Sequence, residues 1–144
     1  MYCIMYLICA GVPINDIVCV YCSIIRSILE YACPVWHPGL TKKLSKDIER
    51  VQKRCLKLLH PSISYPEALI KSGIDRLDYR RDMITQKVFM QMKDPKHPLR
   101  DLIPPIKVSH SQMVLRPTYP YQLPLSKTAC YKRDFVPFCI SKKF

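Results

Sequence analysis

The chain has 144 residues, and 23 Lys and Arg against 11 Asp and Glu give it a formal charge of +12. This length allows one small domain, and a hydrophobic share of 49% excludes a globally disordered chain. The first 40 residues hold one base and two acids, so the cationic excess falls entirely on residues 41–144. The three glycines, Gly11, Gly39 and Gly73, lie too far apart for a Gly-rich phosphate-binding loop.

Residues 1–14 form an apolar leader that the sequence does not assign to any element. The leader lacks the basic start of a signal peptide, and it is shorter than the roughly 20 residues that span a membrane. We therefore expect no membrane partner. The eight cysteines are expected to be thiols in a reducing, intracellular compartment, either nuclear or cytoplasmic.

Apolar residues at helical spacing predict a first helix over residues 15–33. Asn15 or Asp16 is expected to cap this helix, and Pro34 is expected to stop it. Structural roles are assigned to six residues of the chain. Four lie in or just after this helix, Arg26, Glu30, Pro34 and Trp36, and two lie at the start of a later helix, Ser64 and Glu67. Arg26 and Glu30, one turn apart, are expected to form a local ion pair that holds the first helix, while Pro34 and Trp36 fix the turn that follows.

The second predicted helix, over residues 41–59, has the clearest pattern in the sequence. Its apolar seam consists of Leu44, Ile48, Val51, Cys55 and Leu58, which recur by four and three residues. On the opposite side, seven bases project within an arc of about 120° at 100° per residue. These bases, here called the cationic face, are Lys42, Lys43, Lys46, Arg50, Lys53, Arg54 and Lys57.

Two further helices complete the predicted bundle. Ser64 as N-cap and Glu67 at the third helical position form a capping box for a helix over residues 64–72. A fourth helix is predicted over residues 77–92. The expected fold class is therefore all-α, a small bundle of about four helices within residues 15–93.

Residues 94–144 differ from the bundle in composition, because prolines, bases and aromatic residues dominate them. This composition predicts an extended, basic, aromatic tail. The tail bases expected to contact nucleic acid are Arg116, Lys127, Lys132 and Arg133.

The sequence predicts no metal, no cofactor, no catalytic residue and no small-molecule substrate. Cys19, Cys22, Cys33 and His37 resemble a zinc set, but Cys22 and Cys33 lie about 16 Å apart along one predicted helix. The only acidic cluster, within residues 75–82, is interleaved with arginines and is better explained by charge complementation at a helix start.

Two interpretations of the charge remain. The cationic face and a tail that mixes cations with aromatic rings favour contacts to nucleic-acid phosphates without sequence specificity. Alternatively, the bases serve solubility, and the apolar seam docks a partner helix in a protein-interaction module.

Particular segments of the chain resemble one family. Residues 21–37 (YCSIIRSILEYACPVWH) and 48–54 (IERVQKR) resemble the region beyond the polymerase palm in non-LTR, LINE-type, jockey-like retrotransposon reverse transcriptases. The similarity extends in order over about residues 9–144, with further similar stretches at 65–69, 78–81, 97–99 and 127–144.

The resemblance implies a thumb and post-thumb segment of an RNA-directed DNA polymerase. That family's catalytic aspartates lie in a Phe/Tyr-x-Asp-Asp turn that has no matching position in this chain. We therefore expect a noncatalytic C-terminal fragment, not an enzyme, that binds RNA, DNA or hybrid duplex weakly. The missing upstream polymerase domain is the second expected partner.

Overall fold

A computed structural model of the chain describes residues 2–106, 121–123 and 128–142. These residues are predominantly helical; they contain no β-strand, only an isolated antiparallel bridge between Ile106 and Tyr121. The predicted all-α class is confirmed. The α-helices are α1 (Tyr2–Cys9), α2 (Ile14–Val20), α3 (Ser27–Glu30), α4 (Cys33–Trp36), α5 (Lys42–Leu59), α6 (Tyr65–Ser72), α7 (Leu77–Met92), α8 (Ala129–Lys132) and α9 (Phe135–Ser141).

The chain divides into two compact units. The first unit comprises Met1–Cys33 and Leu40–Asp82, and the second comprises Pro34–Gly39 and Met83–Phe144. These bounds differ from the sequence prediction, which sets a bundle over residues 15–93 apart from a tail.

The first predicted helix contains a π-helical segment. The chain passes from α2 through a π-helix, Tyr21–Arg26, into α3 without a break. The Ser23 hydroxyl donates to the carbonyl of Cys19 at 2.7 Å, and the Ser27 hydroxyl donates to that of Ser23 at 2.7 Å. Such bonds from a side chain to the preceding turn compete with the backbone ladder and often bend a helix.

The predicted cap and the predicted stop of this helix are wrong, although its start lies within one residue of the predicted position. The helix starts after Pro13, without a side-chain cap, so Asn15 and Asp16 lie inside its first turn. It ends at Glu30, because Tyr31 leaves the helical region with ψ 126°, and Ala32 then adopts a left-handed backbone with φ 48°. Pro34 does not stop it but occupies the first turn of α4, where its missing N–H removes no helical hydrogen bond.

The next two helices begin and end close to the predicted positions, because each carries its own local signals. The Thr41 hydroxyl accepts from the amide of Leu44 at 3.3 Å at the start of α5. Ser64 and Glu67 form the capping box of α6, in which the Ser64 amide donates to the Glu67 carboxylate at 3.1 Å. Gly73 then ends α6 in the left-handed conformation, with φ 61°.

The core of the first unit joins α1, α2, the π-segment, α5 and α6. Its buried members are Ile4, Ile17, Tyr21, Cys55, Leu56, Leu59, Ala68, Leu69 and Ile74. The leader, which the sequence leaves unassigned, therefore has a place, since Ile4 on α1 is fully buried in this core.

The second unit has a smaller core. Its buried members are Phe89, Met92, Ile103, Cys139 and Ile140. Residues 129–132 and 135–141 are helical where the sequence predicts an extended tail. The Asp134 carboxylate accepts from the amide of Phe135 at 3.0 Å, and Pro137 lies in the first turn of α9, where proline is tolerated. Within the predicted tail, residues 107–120, 124–127 and 143–144, which include Arg116 and Lys127, lie outside the described residues.

Within the described ranges, no single helix is long and apolar enough to span a membrane. The bent pair Ile14–Glu30 and Cys33–Gly39 together reaches the length and composition of a span.

Candidate nucleic-acid interface

All seven bases of the cationic face are exposed on α5. Two of them have a partner: Arg50 pairs with Asp47 at 3.1 Å, and the Lys57 ammonium donates to the carbonyl of Pro61 at 2.6 Å. In the part of the chain that the structure describes, the side chains of the other five form no salt bridge or hydrogen bond. These five are Lys42, Lys43, Lys46, Lys53 and Arg54. Most of the positive charge on this helix is therefore uncompensated.

The length of the cationic face suits a phosphate backbone. Lys42 and Lys57 are 15 residues apart, which is about 22 Å along an α-helix. Phosphates follow one another about every 3.4 Å along the axis for each strand of duplex DNA. The face therefore spans enough backbone for five or more phosphate contacts.

The tail bases contribute less to the described surface. Lys132 and Arg133 are exposed at the end of α8, whereas Arg116 and Lys127 lie outside the described residues. Trp36, to which the sequence gives a turn-fixing role, is half-buried in α4.

The apolar seam and the buried side of α5 share only Cys55. The side chains that α5 buries are Gln52, Cys55, Leu56 and Leu59, centred about 70° around the helix axis from the seam. Leu44 is 52% exposed, while Ile48 and Val51 are half-buried. A count of apolar residues misses this face because Gln52 is polar and yet fully buried.

Hydrogen bonds account for the burial of Gln52. Its carbonyl oxygen accepts from the Tyr21 hydroxyl at 2.8 Å. Its amide nitrogen donates to the backbone carbonyl of Asp75 at 3.0 Å and to the Tyr65 hydroxyl at 3.2 Å. A buried amide with its bonds made avoids the desolvation cost of an unsatisfied one. Burial also raises the pKa of Tyr21 far above its usual range.

Glu49 extends this network to α7. The Tyr65 hydroxyl donates to one Glu49 carboxylate oxygen, and the amide of Leu77 donates to the other at 3.1 Å. Glu49 therefore satisfies one of the free N–H groups at the start of α7 from a different helix. Burial is the main cause that raises the pKa of Tyr65 above its usual range, and the hydrogen bond to Glu49 is the second.

Glu30 has a closer partner than the predicted one. Its carboxylate lies 3.9 Å from Nε of Arg26, as the local-pair prediction requires, but only 2.6 Å from Nε of Arg80 on α7. Nothing in the local pattern reveals this second contact, because Glu30 and Arg80 are far apart in the sequence.

Arg81 is the largest fully buried side chain. Its guanidinium donates to the Ser45 hydroxyl at 2.9 Å, which links α7 to the start of α5. Burial lowers the pKa of Arg81, although Glu49 and Asp78 act in the opposite direction. Arg81 therefore belongs to the interior of the first unit rather than to a cationic surface.

The cysteines do not form a site. Among the described residues, no group of three or more His, Cys, Asp or Glu side chains is arranged to hold a metal ion. Cys19 is exposed, Cys22 is half-buried and Cys33 is fully buried, so the three thiols do not share one surface. Burial raises the pKa of Cys33 to about 11, and the nearby Glu30 carboxylate acts in the same direction.

No family model, curated protein sequence or solved structure matches the chain significantly. The case for an interface therefore rests on the exposure, spacing and missing counter-charges of the cationic face.

Proposed function

We propose that the chain is a noncatalytic C-terminal segment of a non-LTR retrotransposon RNA-directed DNA polymerase. In this proposal the cationic face binds DNA, RNA or hybrid duplex through phosphates and without sequence specificity. The observation that carries the binding function is the row of seven exposed bases on α5, of which only Arg50 has an acidic partner among the described residues. The parentage rests on the resemblance of residues 21–37 and 48–54 to that family.

The composition of the face supports contacts to phosphates rather than to bases. Five of its seven cations are lysines, which act as mobile point charges and lack the rigid fork with which arginine reads guanine. Phosphate contacts hold a protein on a duplex but carry no sequence information. Two duplexes of unrelated sequence are therefore expected to bind with nearly equal affinity.

A salt titration tests the binding function. Each neutralised phosphate contributes about −0.9 to the slope of log K against log salt for duplex DNA. Contacts to five or more phosphates predict a slope of about −4 or steeper. Replacing Lys42 and Lys46 with glutamine is expected to make the slope shallower by about 2. A flat slope, or no binding at low salt, contradicts the proposal.

The parentage has a separate test. An open reading frame upstream of Met1 that encodes a palm-type Asp-Asp motif supports the retrotransposon origin. An upstream sequence without any polymerase-like frame contradicts the origin and leaves the salt titration unaffected.

A second candidate function is a helical protein-interaction module. One observation favours it: Leu44 is 52% exposed and lies along the same side of α5 as the half-buried Ile48 and Val51. Docking of a partner helix on this seam predicts an association that persists at high salt. Leu44→Asp is then expected to abolish the association, whereas Lys46→Gln leaves it intact. If Lys46→Gln weakens the association and Leu44→Asp leaves it intact, the result identifies phosphate binding instead.

A further inference from the structure

A cavity of about 250 Å³ lies beside the cationic face, between α5 and α6. Its lining residues are Lys53, Leu56, Lys57, His60, Ile63, Ser64, Tyr65 and Ala68. Two exposed members of the cationic face, Lys53 and Lys57, lie one turn apart on α5. Buried Leu56 and Ala68 provide an apolar wall.

The cavity combines cations with apolar and aromatic surface. Phosphates pair with lysine ammonium groups, and nucleobases stack on aromatic and apolar side chains. We propose that this cavity holds one unpaired nucleotide of a bound strand, with its phosphate on Lys53 and Lys57 and its base against Tyr65 and Ile63. This inference rests on the proposed function. It predicts that the same interface prefers strand ends and junctions between duplex and single strand, where a nucleotide is unpaired.

Tyr65 is held in place for such a contact. Its hydroxyl donates to Glu49 and accepts from the Gln52 amide at 3.2 Å, so the ring is anchored from its far end. An anchored ring loses little conformational freedom when a base stacks on it. The hydrogen bonds to Glu49 and Gln52 therefore prepare a stacking surface.

The position proposed for the phosphate follows from the hydrogen-bond donors at the cavity that are not already used within the protein. The amide of Ser64, at the start of α6, already donates to Glu67 at 3.1 Å, so a capping carboxylate occupies this helix end. The Lys57 ammonium uses one N–H on the carbonyl of Pro61 and retains two for a ligand. The Lys53 side chain forms no hydrogen bond or salt bridge among the described residues.

The size of the cavity limits its occupant. About 250 Å³ is below the 300–1,000 Å³ of pockets for drug-sized ligands. The cavity therefore suits a single base with part of its sugar rather than a run of several nucleotides. A continuous duplex, with every base stacked, can place its phosphates on α5 but cannot fill the cavity.

The experiment compares two hybrid duplexes with equal numbers of phosphates, one blunt and one with a short single-stranded overhang. The full-length chain is expected to bind the overhang about 5-fold or more tightly, as stacking of one base implies. Changing Lys53 and Lys57 to glutamine is expected to reduce this ratio to about one. The matched control changes Lys42 and Lys46, also four residues apart, and is expected to weaken both ligands while preserving the ratio.

A second measurement uses adenosine monophosphate alone as the probe, followed by NMR shifts of the Ile63 and Ala68 methyl groups. Shifts at both methyls, lost in the Lys53 and Lys57 variant, support the inference. Equal binding of blunt and overhang duplexes overturns it, even where a steep salt slope upholds the proposed function. Shifts with adenosine monophosphate but no overhang preference also overturn it, because the cavity then takes a free mononucleotide. If neither the duplexes nor adenosine monophosphate bind, both this inference and the proposed function are wrong.

Discussion

The carboxylate of Glu30 accepts a hydrogen bond of 2.6 Å from Nε of Arg80, which lies fifty residues further along the chain. Arg26, one turn before Glu30, lies 3.9 Å from the same carboxylate oxygen. Arg80 is therefore the main partner of Glu30, and the pair joins α3 to α7. The Glu30 side chain is only 12% exposed, so its charge depends on this partner more than a surface carboxylate would.

Removing Arg80 is expected to cost more stability than removing Arg26. Arg80→Gln leaves a largely buried carboxylate without its closest donor, and we expect a loss of about 1–2 kcal/mol in the free energy of unfolding. Arg26→Gln breaks the longer contact, 3.9 Å against 2.6 Å, and is expected to cost less than Arg80→Gln. Urea unfolding of both variants, alone and with Glu30→Gln, measures each coupling energy. Equal losses in the two variants would contradict the conclusion that Arg80 is the main partner of Glu30.

The Tyr21 hydroxyl and the Gln52 amide provide a second test of the interior. Tyr21→Phe removes the donor to the buried Gln52 carbonyl oxygen, and we expect a loss of about 1–2 kcal/mol. Tyr6→Phe is the matched control, because Tyr6 is 76% exposed and the same change there is expected to be neutral. Chemical unfolding followed by circular dichroism measures both. A neutral effect of Tyr21→Phe would show that this hydrogen bond adds no net stability.

The ionisable groups in the first unit predict a loss of stability at alkaline pH. Burial raises the pKa of the Cys33 thiol from 9.0 to about 11, and it raises the pKa values of the Tyr21 and Tyr65 phenols as well. Each group keeps its proton in the folded chain at a pH where the unfolded chain has lost it. The unfolded state then binds fewer protons, so the free energy of unfolding falls as pH rises.

The free energy of unfolding is therefore expected to change little between about pH 7 and 8.5 and to fall above pH 9. Each group contributes up to about 1.4 kcal/mol per pH unit where only its unfolded form ionises. Urea unfolding at a series of pH values measures this dependence. Cys33→Ala should make the fall shallower between about pH 9 and 11, and an unchanged profile in this variant would exclude Cys33 as a contributor.

Thiol labelling tests the burial of the cysteines residue by residue. Cys3, Cys9, Cys19 and Cys130 are exposed and are expected to react quickly with an aromatic disulfide reagent at neutral pH. Cys33, Cys55 and Cys139 are buried and are expected to react only as the chain opens. Mass spectrometry of partly labelled protein assigns the order. Full protection of Cys19 would indicate that another surface covers α2.

The extent to which sequence predicted this structure depends on how local each signal is. The capping box of Ser64 and Glu67 and the spacing of the bases on α5 act within a few residues, and their structural consequences are close to those expected. The π-segment was not predicted, because apolar spacing does not distinguish it from an α-helix over a single turn.

The candidate site was predictable only on its solvent side. The bases are grouped on one arc of α5, and such an arc is exposed in any helix that buries one stripe on another side. The position of that stripe depends on Gln52, whose burial requires donors and acceptors from Tyr21, Tyr65 and Asp75. The cavity beside Lys53 and Lys57 likewise exists only once α5 and α6 pack together. Such contacts are set by the fold, and a single sequence does not reveal them.

Two of the left-handed positions that follow helices, Ala32 and Gly73, lead to opposite predictions for substitutions between Ala and Gly. Gly73 has φ 61°, and an added Cβ would meet no atom within 4 Å, so Gly73→Ala is expected to cost about 1 kcal/mol through backbone strain alone. Ala32 already bears that strain at φ 48°. Ala32→Gly relieves it but adds freedom to the unfolded chain, so we expect a change within about 0.5 kcal/mol of zero. By contrast, Ala68→Gly, at a buried site inside α6, is expected to cost about 1 kcal/mol or more. Urea unfolding of the three variants measures these differences, and a large loss for Ala32→Gly would mean that the helix does not end in a left-handed turn at this residue.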